Sequence, residues 1–460
     1  MKDWRPDLAR NDGPLYLAIA DAIAQDIAQG VLAVGARLPP QRKLAAMLGV
    51  DFTTVARGYV EAGKRGLIES VVGRGSFVRS NATLREDGDP RRQQLADFSM
   101  NMPPEPDDPE LVARMQDGFV SVARDLLPLL RYQGFGGAPM DKDAASAWLG
   151  RRALVPAQER IFVTPGAHPA LVGIFSLLAR TGETVLSEAI TYPGVRSITA
   201  QLGLNLVGLE TDGDGILPEA LEEAVQRHRP KALYLNPTLQ NPTTVTIPER
   251  RRSEICAVAR RHRLPIVEDD AYGFIPTHGP PPLAAIAPDI CWHIAGLAKC
   301  IGAGLRLAYV VAPDARAGWS FSAALRALSV MASPVTVAVA TRWIEDGTAD
   351  TILRFIRAEA AAREKLASQF FEPGTYLSDP LSFNIWLPLG NGWTRSAFAS
   401  YVRRTGIGVV VSDVFTVAGE PSEIVRVGLG GPISRERLRA GLEFMAHALE
   451  GSPQTAAAFF

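Results

Sequence analysis

The stretch His293–Val311, HIAGLAKCIGAGLRLAYVV, is mostly apolar or glycine and carries only two cations in nineteen residues, Lys299 and Arg306. It reads as buried core, yet no acid nearby in sequence stands ready to pair with either charge. A buried ammonium without a partner is costly, and burial pushes its pKa down towards the neutral amine. A neutral amine is a nucleophile. Lys299 is therefore expected to bond an electrophile, and neighbouring segments should carry the other groups that this chemistry requires.

Short apolar runs flank it and alternate with helical patterns: RIFVTPG (160–166), ETVLSE (183–188), LNLVGLE (204–210), KALYLNP (231–237), LPIVEDD (264–270), ICWHIAG (290–296) and RLAYVVAP (306–313). Strands alternating with helices predict an α/β unit built on a mostly parallel sheet with helices on both faces. Ligands of such sheets bind beyond the carboxyl ends of the strands. The polar residues of this chain gather at those ends. VTPGAHPAL (163–171) places Gly166 and Ala167 just before a helix, where free amides bind a phosphate, with His168 as a neighbour. SEAITYPG (187–194) offers the flat ring of Tyr192, LYLNPTLQNPTT (233–244) offers Asn236 and Asn241, and IVEDDAYG (266–273) gives Asp269 and, three residues on, Tyr272. One cofactor uses all of these. Pyridoxal phosphate needs an amine for its aldehyde, a carboxylate opposite its ring nitrogen, donors to its phenolic oxygen, an aromatic stack and a phosphate cup with an arginine. On this reading Lys299 forms the Schiff base and Arg306 holds the phosphate.

At 460 residues the chain should contain two or three domains. Its net charge of -1 gives no global signal for nucleic acid or membrane. The opening MKDWRPDLARNDGP lacks the apolar core of a secretory signal, and no apolar run approaches the roughly 20 residues of a membrane span. Cys256, Cys291 and Cys300 have neither metal-ligand spacing nor a disulfide count, so buried thiols in a reducing cytoplasm are expected, with no metal site. Locally the charge is different: Ala36 to Ser80 holds eight Lys or Arg against three acids. Here Leu15, Ile19, Ile23 and Ile27 mark a helix, Gln41 to Leu48 a second that stops at Gly49, and Thr53 to about Gly63 a third. GLIESVVGRGSFV (66–78) then turns like a hairpin. That order is a winged helix-turn-helix, with Arg42, Thr53, Thr54 and Arg57 placed to meet a DNA major groove and Arg74 at the wing tip. SNATLREDGDPRRQQLADFS (80–99) is charged and aperiodic. The expected division is 1–80 for the DNA-binding domain, 81–97 for a linker and 98–460 for the cofactor domain.

From about Asp97 to the end, this order of phosphate loop, Tyr, Asn-Pro, Asp-x-x-Tyr, Lys with Arg seven later, and a final Arg resembles the fold type I aminotransferases. The resemblance implies that Asp269 pairs with the pyridine nitrogen, Asn241 and Tyr272 with the phenolic oxygen, and Tyr192 with the ring face. It further implies that Arg426, in IVRVGLG (424–430), grips a substrate α-carboxylate, and that Tyr132, in RYQGFGG (131–137), reaches the phosphate across a dimer interface. The first eighty residues resemble the GntR class of winged helix regulators. The whole chain is thus similar to the MocR subfamily, cytoplasmic transcription regulators that sense an effector through bound pyridoxal phosphate. This implies a homodimer on double-stranded operator DNA, with an amine or amino-acid effector displacing Lys299. The alternative is a working aminotransferase that carries a DNA-binding domain, since both share the first half-reaction. In the family, serines usually stand three and one residues before the lysine; here Gly296 and Ala298 do. Pro165 and Ala167 likewise replace a common Ser or Thr, which implies weaker cofactor binding resting on Arg306, backbone amides and His168. Asp51 and Phe52 stand where a Ser and an Arg are commoner, so their part in reading an operator is open.

Overall fold

An α-helix is the regular backbone that brings residues four apart onto one face. The computed structural model, which describes residues 4–6, 14–28, 31–32, 35–65, 67–71, 75–78 and 98–454, forms that helix over Leu15–Ala28 (α1). The second helix, Gln41–Leu48 (α2), ends where Gly49 adopts φ +68 and returns its amide to the Ala45 carbonyl. The third, Phe52–Lys64 (α3), starts one residue earlier than expected because Asp51 caps it, accepting from the Thr53 amide at 2.8 Å. Strands Ile68–Val71 (β1) and Gly75–Val78 (β2) pair antiparallel, with Ile68 opposite Val78. Ile19, Ile23, Leu44, Val55, Tyr59, Ile68 and Val78 are buried together as the core of this unit. Gly58 lets α3 approach α1 closely, since a Cβ there would lie 2.9 Å from Ile19 Cγ2. The fold of this unit is a winged helix-turn-helix. Arg74 and the segment 81–97 lie outside the described residues.

Two compact units make up the chain, 1–95 and 96–460. In the second, all seven apolar runs become strands of one sheet: Ile161–Thr164 (β3), Thr184–Glu188 (β4), Asn205–Leu209 (β5), Ala232–Leu235 (β6), Ile266–Asp269 (β7), Cys291–Gly296 (β8) and Ala308–Val311 (β9). Their order is β3-β9-β8-β7-β6-β4-β5. All neighbours run parallel except β9, which is antiparallel to both β8 and β3. Alternate side chains feed two cores. Val163, Leu233, Leu235, Ile266, Ala295 and Tyr309 pack on one face, and Phe162, Tyr234, Val267, Ile294 and Val310 on the other. Burial on both faces explains why the strands read as continuous apolar runs.

A smaller antiparallel sheet of Asn384–Pro388 (β10), Val410–Val411 (β11) and Ile424–Gly428 (β12), in the order β10-β12-β11, has its own core with Phe98, Phe398 and Leu442. Among the described residues, no helix is long and apolar enough to cross a membrane.

Candidate functional site

Five strands that run in the same direction deliver the site by their carboxyl ends. After β3, Gly166 takes φ +100 and opens the helix Ala167–Leu178 (α4), with His168 in its first turn. Tyr192 follows β4 and caps the helix Pro193–Gln201 (α5). Asn236 directly follows β6, and Asp269 is the last residue of β7. Lys299 sits just past β8, and because β9 turns back antiparallel, Arg306 returns to the same edge. A cavity of about 140 Å³ is lined by Gly166, Ala167, His168, Tyr192, Asn236, Asn241, Asp269, Tyr272, Lys299 and Arg306, together with Gly296 and Ala298. Tyr132 is not among these residues and is 81% exposed.

Asp269 is 4% exposed. Tyr234 Oη donates to its Oδ2 at 2.9 Å, and Asn236 Nδ2 donates to its backbone carbonyl at 2.7 Å. Its Oδ1 is buried with no partner. Burial is the main reason its pKa is raised to about 6. The two acids beside it form no solvated turn. Glu268 accepts from the Leu283 and Ala284 amides and from His293 Nδ1 at 2.8 Å, with Arg252 3.7 Å away, and Asp270 lies 3.5 Å from Arg152. Both are fully buried, so β7 is pinned from behind and Asp269 alone faces the cavity.

The facing groups are cationic. Lys299, Arg306 and Arg426 line or adjoin the cavity, and among the described residues none has an acid in ion-pair range. Lys299 Nζ donates to the Asn101 carbonyl and lies 5.9 Å from the Tyr272 ring centroid. Burial first, then the Arg426 charge, lowers its pKa to about 8, with Asp269 opposing. An ordinary lysine near pKa 10.4 is about one part in 2,500 neutral at pH 7; at about 8 the fraction is roughly one in ten. Capture of an aldehyde by this amine is therefore expected to speed up about tenfold per pH unit up to pH 7 and to level off above about 8, where a free lysine is still rising. Stopped-flow absorbance with pyridoxal 5′-phosphate measures it.

Arg426, on β12, is 6% exposed, donates from Nη1 to Asn241 Oδ1 at 2.9 Å and from Nη2 to the Ser99 carbonyl, and packs 5.1 Å from the Phe415 ring centroid. Its Nε has no partner, and burial draws its pKa down to about 10. A buried guanidinium held only by neutral acceptors is suited to an incoming carboxylate. With Oδ1 taken, Asn241 keeps its amide hydrogens for the cavity; Tyr272 Oη accepts from Asn101 Nδ2 at 2.9 Å and keeps its own hydrogen to donate. His168 Nε2 and Tyr192 Oη are 2.7 Å apart, and burial with the nearby Arg306 charge lowers the His168 pKa. Sequence reasoning missed Ser99, Asn101 and Tyr234. Tyr234 lay within a quoted strand; the other two act largely through backbone carbonyls, which leave no signature.

In the N-terminal unit Arg42, Thr53 and Arg57 are exposed and Thr54 is partly buried. Arg42 lies over the Phe52 ring and Arg57 over the Tyr16 ring, at 5.8 and 4.3 Å from the centroids. Thr53 Oγ1 also donates to Asp51, whose carboxylate pKa these bonds lower, so Asp51 serves as a helix cap.

The sequence model of aminotransferase class I and II matches residues 93–373, more than half of the chain. The chain belongs to the aminotransferase class I and II family. This family member carries a second match at residues 15–78, to the GntR family of bacterial regulatory proteins. It is 28% identical to the uncharacterized HTH-type transcriptional regulator YdeF of Bacillus subtilis, over 97% of both chains. It is also 28% identical to the vitamin B6 salvage pathway transcriptional repressor PtsJ of Salmonella typhimurium, over 91% of this chain and 95% of the relative. The α-aminoadipate aminotransferase LysN of Thermus thermophilus, solved with N-(5′-phosphopyridoxyl)-L-leucine, superposes with a TM-score of 0.70 at 21% identity over 87% of this chain and all of that one. The C-terminal unit thus has the fold type I, pyridoxal-phosphate-binding architecture. The cavity fits that cofactor: an orphaned buried carboxylate oxygen awaits a ring nitrogen, unpaired cations await a phosphate, and Gly166 leaves the space in which a Cβ would stand 3.4 Å from Arg306 Nη2.

Proposed function

We propose that this aminotransferase-family chain is a cytoplasmic, pyridoxal-phosphate-dependent transcription regulator that binds operator DNA through its winged helix unit and senses an amine or amino acid at Lys299. The carrying observation is the single cavity holding Lys299, Asp269, Tyr192 and Arg306 in a chain whose residues 15–78 match a DNA-binding regulator family. When bound, the cofactor supplies an aldehyde and an electron-withdrawing ring. Asp269 Oδ1 would pair with the ring nitrogen, with Tyr234 fixing the carboxylate. Asn241 and Tyr272 would donate to the phenolic oxygen, and Tyr192, steadied by His168, would cover the ring. Arg306 and the Gly166, Ala167 and His168 turn would hold the phosphate, and Arg426 would take the effector carboxylate.

The absorption spectrum of the purified protein with pyridoxal 5′-phosphate, titrated with amino acids and amines, tests this reading. A Lys299-dependent band that shifts with one compound and then persists supports a sensor. A band that decays while a 2-oxo acid accumulates makes the protein a working aminotransferase instead.

Arg42, Thr53, Thr54 and Arg57 face the DNA in this proposal, and Arg74 completes the contact from the wing. Arg42→Ala is expected to weaken binding to a non-specific duplex and to lower the salt slope by about one, read by fluorescence anisotropy at several salt concentrations.

A homodimer also belongs to the proposal. Leu127, Leu130, Tyr132 and Met140 are all more than 60% exposed, and they lie on neighbouring segments. A cluster of large exposed apolar side chains marks an interaction surface. Covered by a second copy, Tyr132 would be brought to the partner's phosphate site. Leu127→Asp with Leu130→Asp is expected to convert a dimer to a monomer in analytical ultracentrifugation.

A further inference from the structure

The strap Phe98–Pro104 is anchored at one end to the small sheet and at the other to the turn that follows β12. Phe98 is buried in its core, the Phe98 carbonyl accepts from the Gly428 amide at 2.6 Å, and the Pro103 carbonyl accepts from the Gly431 amide at 3.1 Å. Two glycines make room for it: a Cβ on Gly428 would stand 2.6 Å from the Met100 carbonyl oxygen, and one on Gly430 would stand 1.7 Å from that of Met102. Between the anchors the strap runs along the cavity. Its Ser99 carbonyl accepts from Arg426 Nη2, and its Asn101 carbonyl accepts from Lys299 Nζ. Asn101 is tied down further, since its Nδ2 reaches Tyr272 Oη at 2.9 Å and Asn384 Oδ1 at 3.0 Å. The two cations assigned to the effector and the cofactor thus hold neutral carbonyls two residues apart on one piece of backbone.

We propose that Ser99 and Asn101 form a built-in surrogate for the bound ligands: the Asn101 carbonyl occupies Lys299 until the cofactor aldehyde takes it, and the Ser99 carbonyl occupies Arg426 until an effector carboxylate takes it and frees the strap. The inference rests on the cofactor reading above. An effector carboxylate offers Arg426 two ionic acceptors where Ser99 offers one neutral oxygen, so the exchange favours the ligand. At Lys299, bonding to the cofactor aldehyde would leave the nitrogen at most one hydrogen in place of three, two departing with the aldehyde oxygen as water, and so would weaken its hold on the Asn101 carbonyl. An effector amine that takes over the aldehyde would return Lys299 to a free amine, so the exchange at Arg426 is the one specific to the effector. The strap follows in sequence on the residues that join it to the winged helix unit, so cavity occupancy alters the point at which that connection is held. Such coupling requires only that ligand affinity differ between the held and the freed strap.

Met100 lies between the two held carbonyls and is 52% exposed, while Cys256, Cys291 and Cys300 are buried, so a nitroxide on Met100→Cys reports on the strap in the full chain. In cofactor-free protein, Lys299→Met and Arg426→Met are each expected to shorten the label's correlation time several-fold, and a label on exposed Trp319→Cys is expected to stay unchanged as the check on folding. Arg426→Gln serves in place of Arg426→Met where the latter disturbs that check. Next, N-(5′-phosphopyridoxyl)-L-leucine, which carries a carboxylate, is expected to loosen the Met100 label as Arg426→Met does, and pyridoxamine 5′-phosphate, which lacks one, is not. Labels equally immobile in all variants overturn the proposal, as does an adduct that binds by absorbance and leaves the strap held. Failure of both compounds to bind by absorbance refutes the cofactor reading itself, and the surrogate role falls with it.

Discussion

Lys299→Ala is expected to abolish the visible absorption band that the protein acquires with pyridoxal 5′-phosphate, leaving the spectrum of free cofactor. The argument is geometric before it is electrostatic. Lys299 stands just past the end of β8 and lines the same cavity as the Asp269 carboxylate proposed to pair with the ring nitrogen. Among the cavity-lining residues it is the lone primary amine. Its pKa near 8, set by burial and the Arg426 charge, keeps an appreciable neutral fraction at physiological pH. Arg306, Asp269 and Tyr192 are untouched by the change, so equilibrium dialysis is expected still to detect cofactor, now exchanging freely. A band of full intensity in Lys299→Ala means another lysine forms the bond.

Asp269→Asn is expected to move two quantities in opposite directions. In the cofactor-free fold this carboxyl has its pKa raised from 3.8 to about 6, with burial as the leading cause. A raised carboxyl pKa means that the folded state disfavours the charged form. The cost is fully present above pH 6 and vanishes below about pH 4, where both states are protonated. Asp269→Asn removes the charge, so at pH 7 to 8 the empty variant should be more stable by up to about 3 kcal/mol, with the gap closing as the pH falls towards 4. Denaturant midpoints across that range measure it. Cofactor affinity should fall at the same time, because a buried charge partner for the ring nitrogen is lost, at about 2 to 5 kcal/mol or roughly 30-fold to a few thousand-fold. A variant weaker in both respects would mean that Asp269 supports the fold and does not await a ligand.

Much of this architecture was legible in the residues. The seven strands stood out because burial on both faces leaves no polar alternation, and the site residues stood out because they interrupt those runs at one end. α3 was misjudged by one residue because Asp51 acts as a cap, a local hydrogen bond that apolar periodicity does not register. What the sequence could not show lies in long-range contacts. Tyr234 meets Asp269 across adjacent strands, and Asn101 meets Tyr272 from 171 residues away. The Ser99 and Asn101 carbonyls belong to groups that every residue possesses, so only the folded path of the strap reveals them. Asn241 illustrates a middle case: its place in the cavity was foreseen, and its bond to Arg426 was not.

The reversal of β9 has a further consequence. Gly296 on β8 faces Ala308 on β9, so Lys299 and Arg306 both belong to the closed turn between them. The spacing between amine and guanidinium is therefore a property of one hairpin and is insulated from insertions elsewhere in the 460 residues. On the proposed reading, that turn would act as a molecular ruler between the amine that takes the aldehyde and the guanidinium that takes the phosphate. Lengthening it by one residue should erode the distinction between the phosphorylated vitamin and its unphosphorylated form while leaving the sheet that carries it in register.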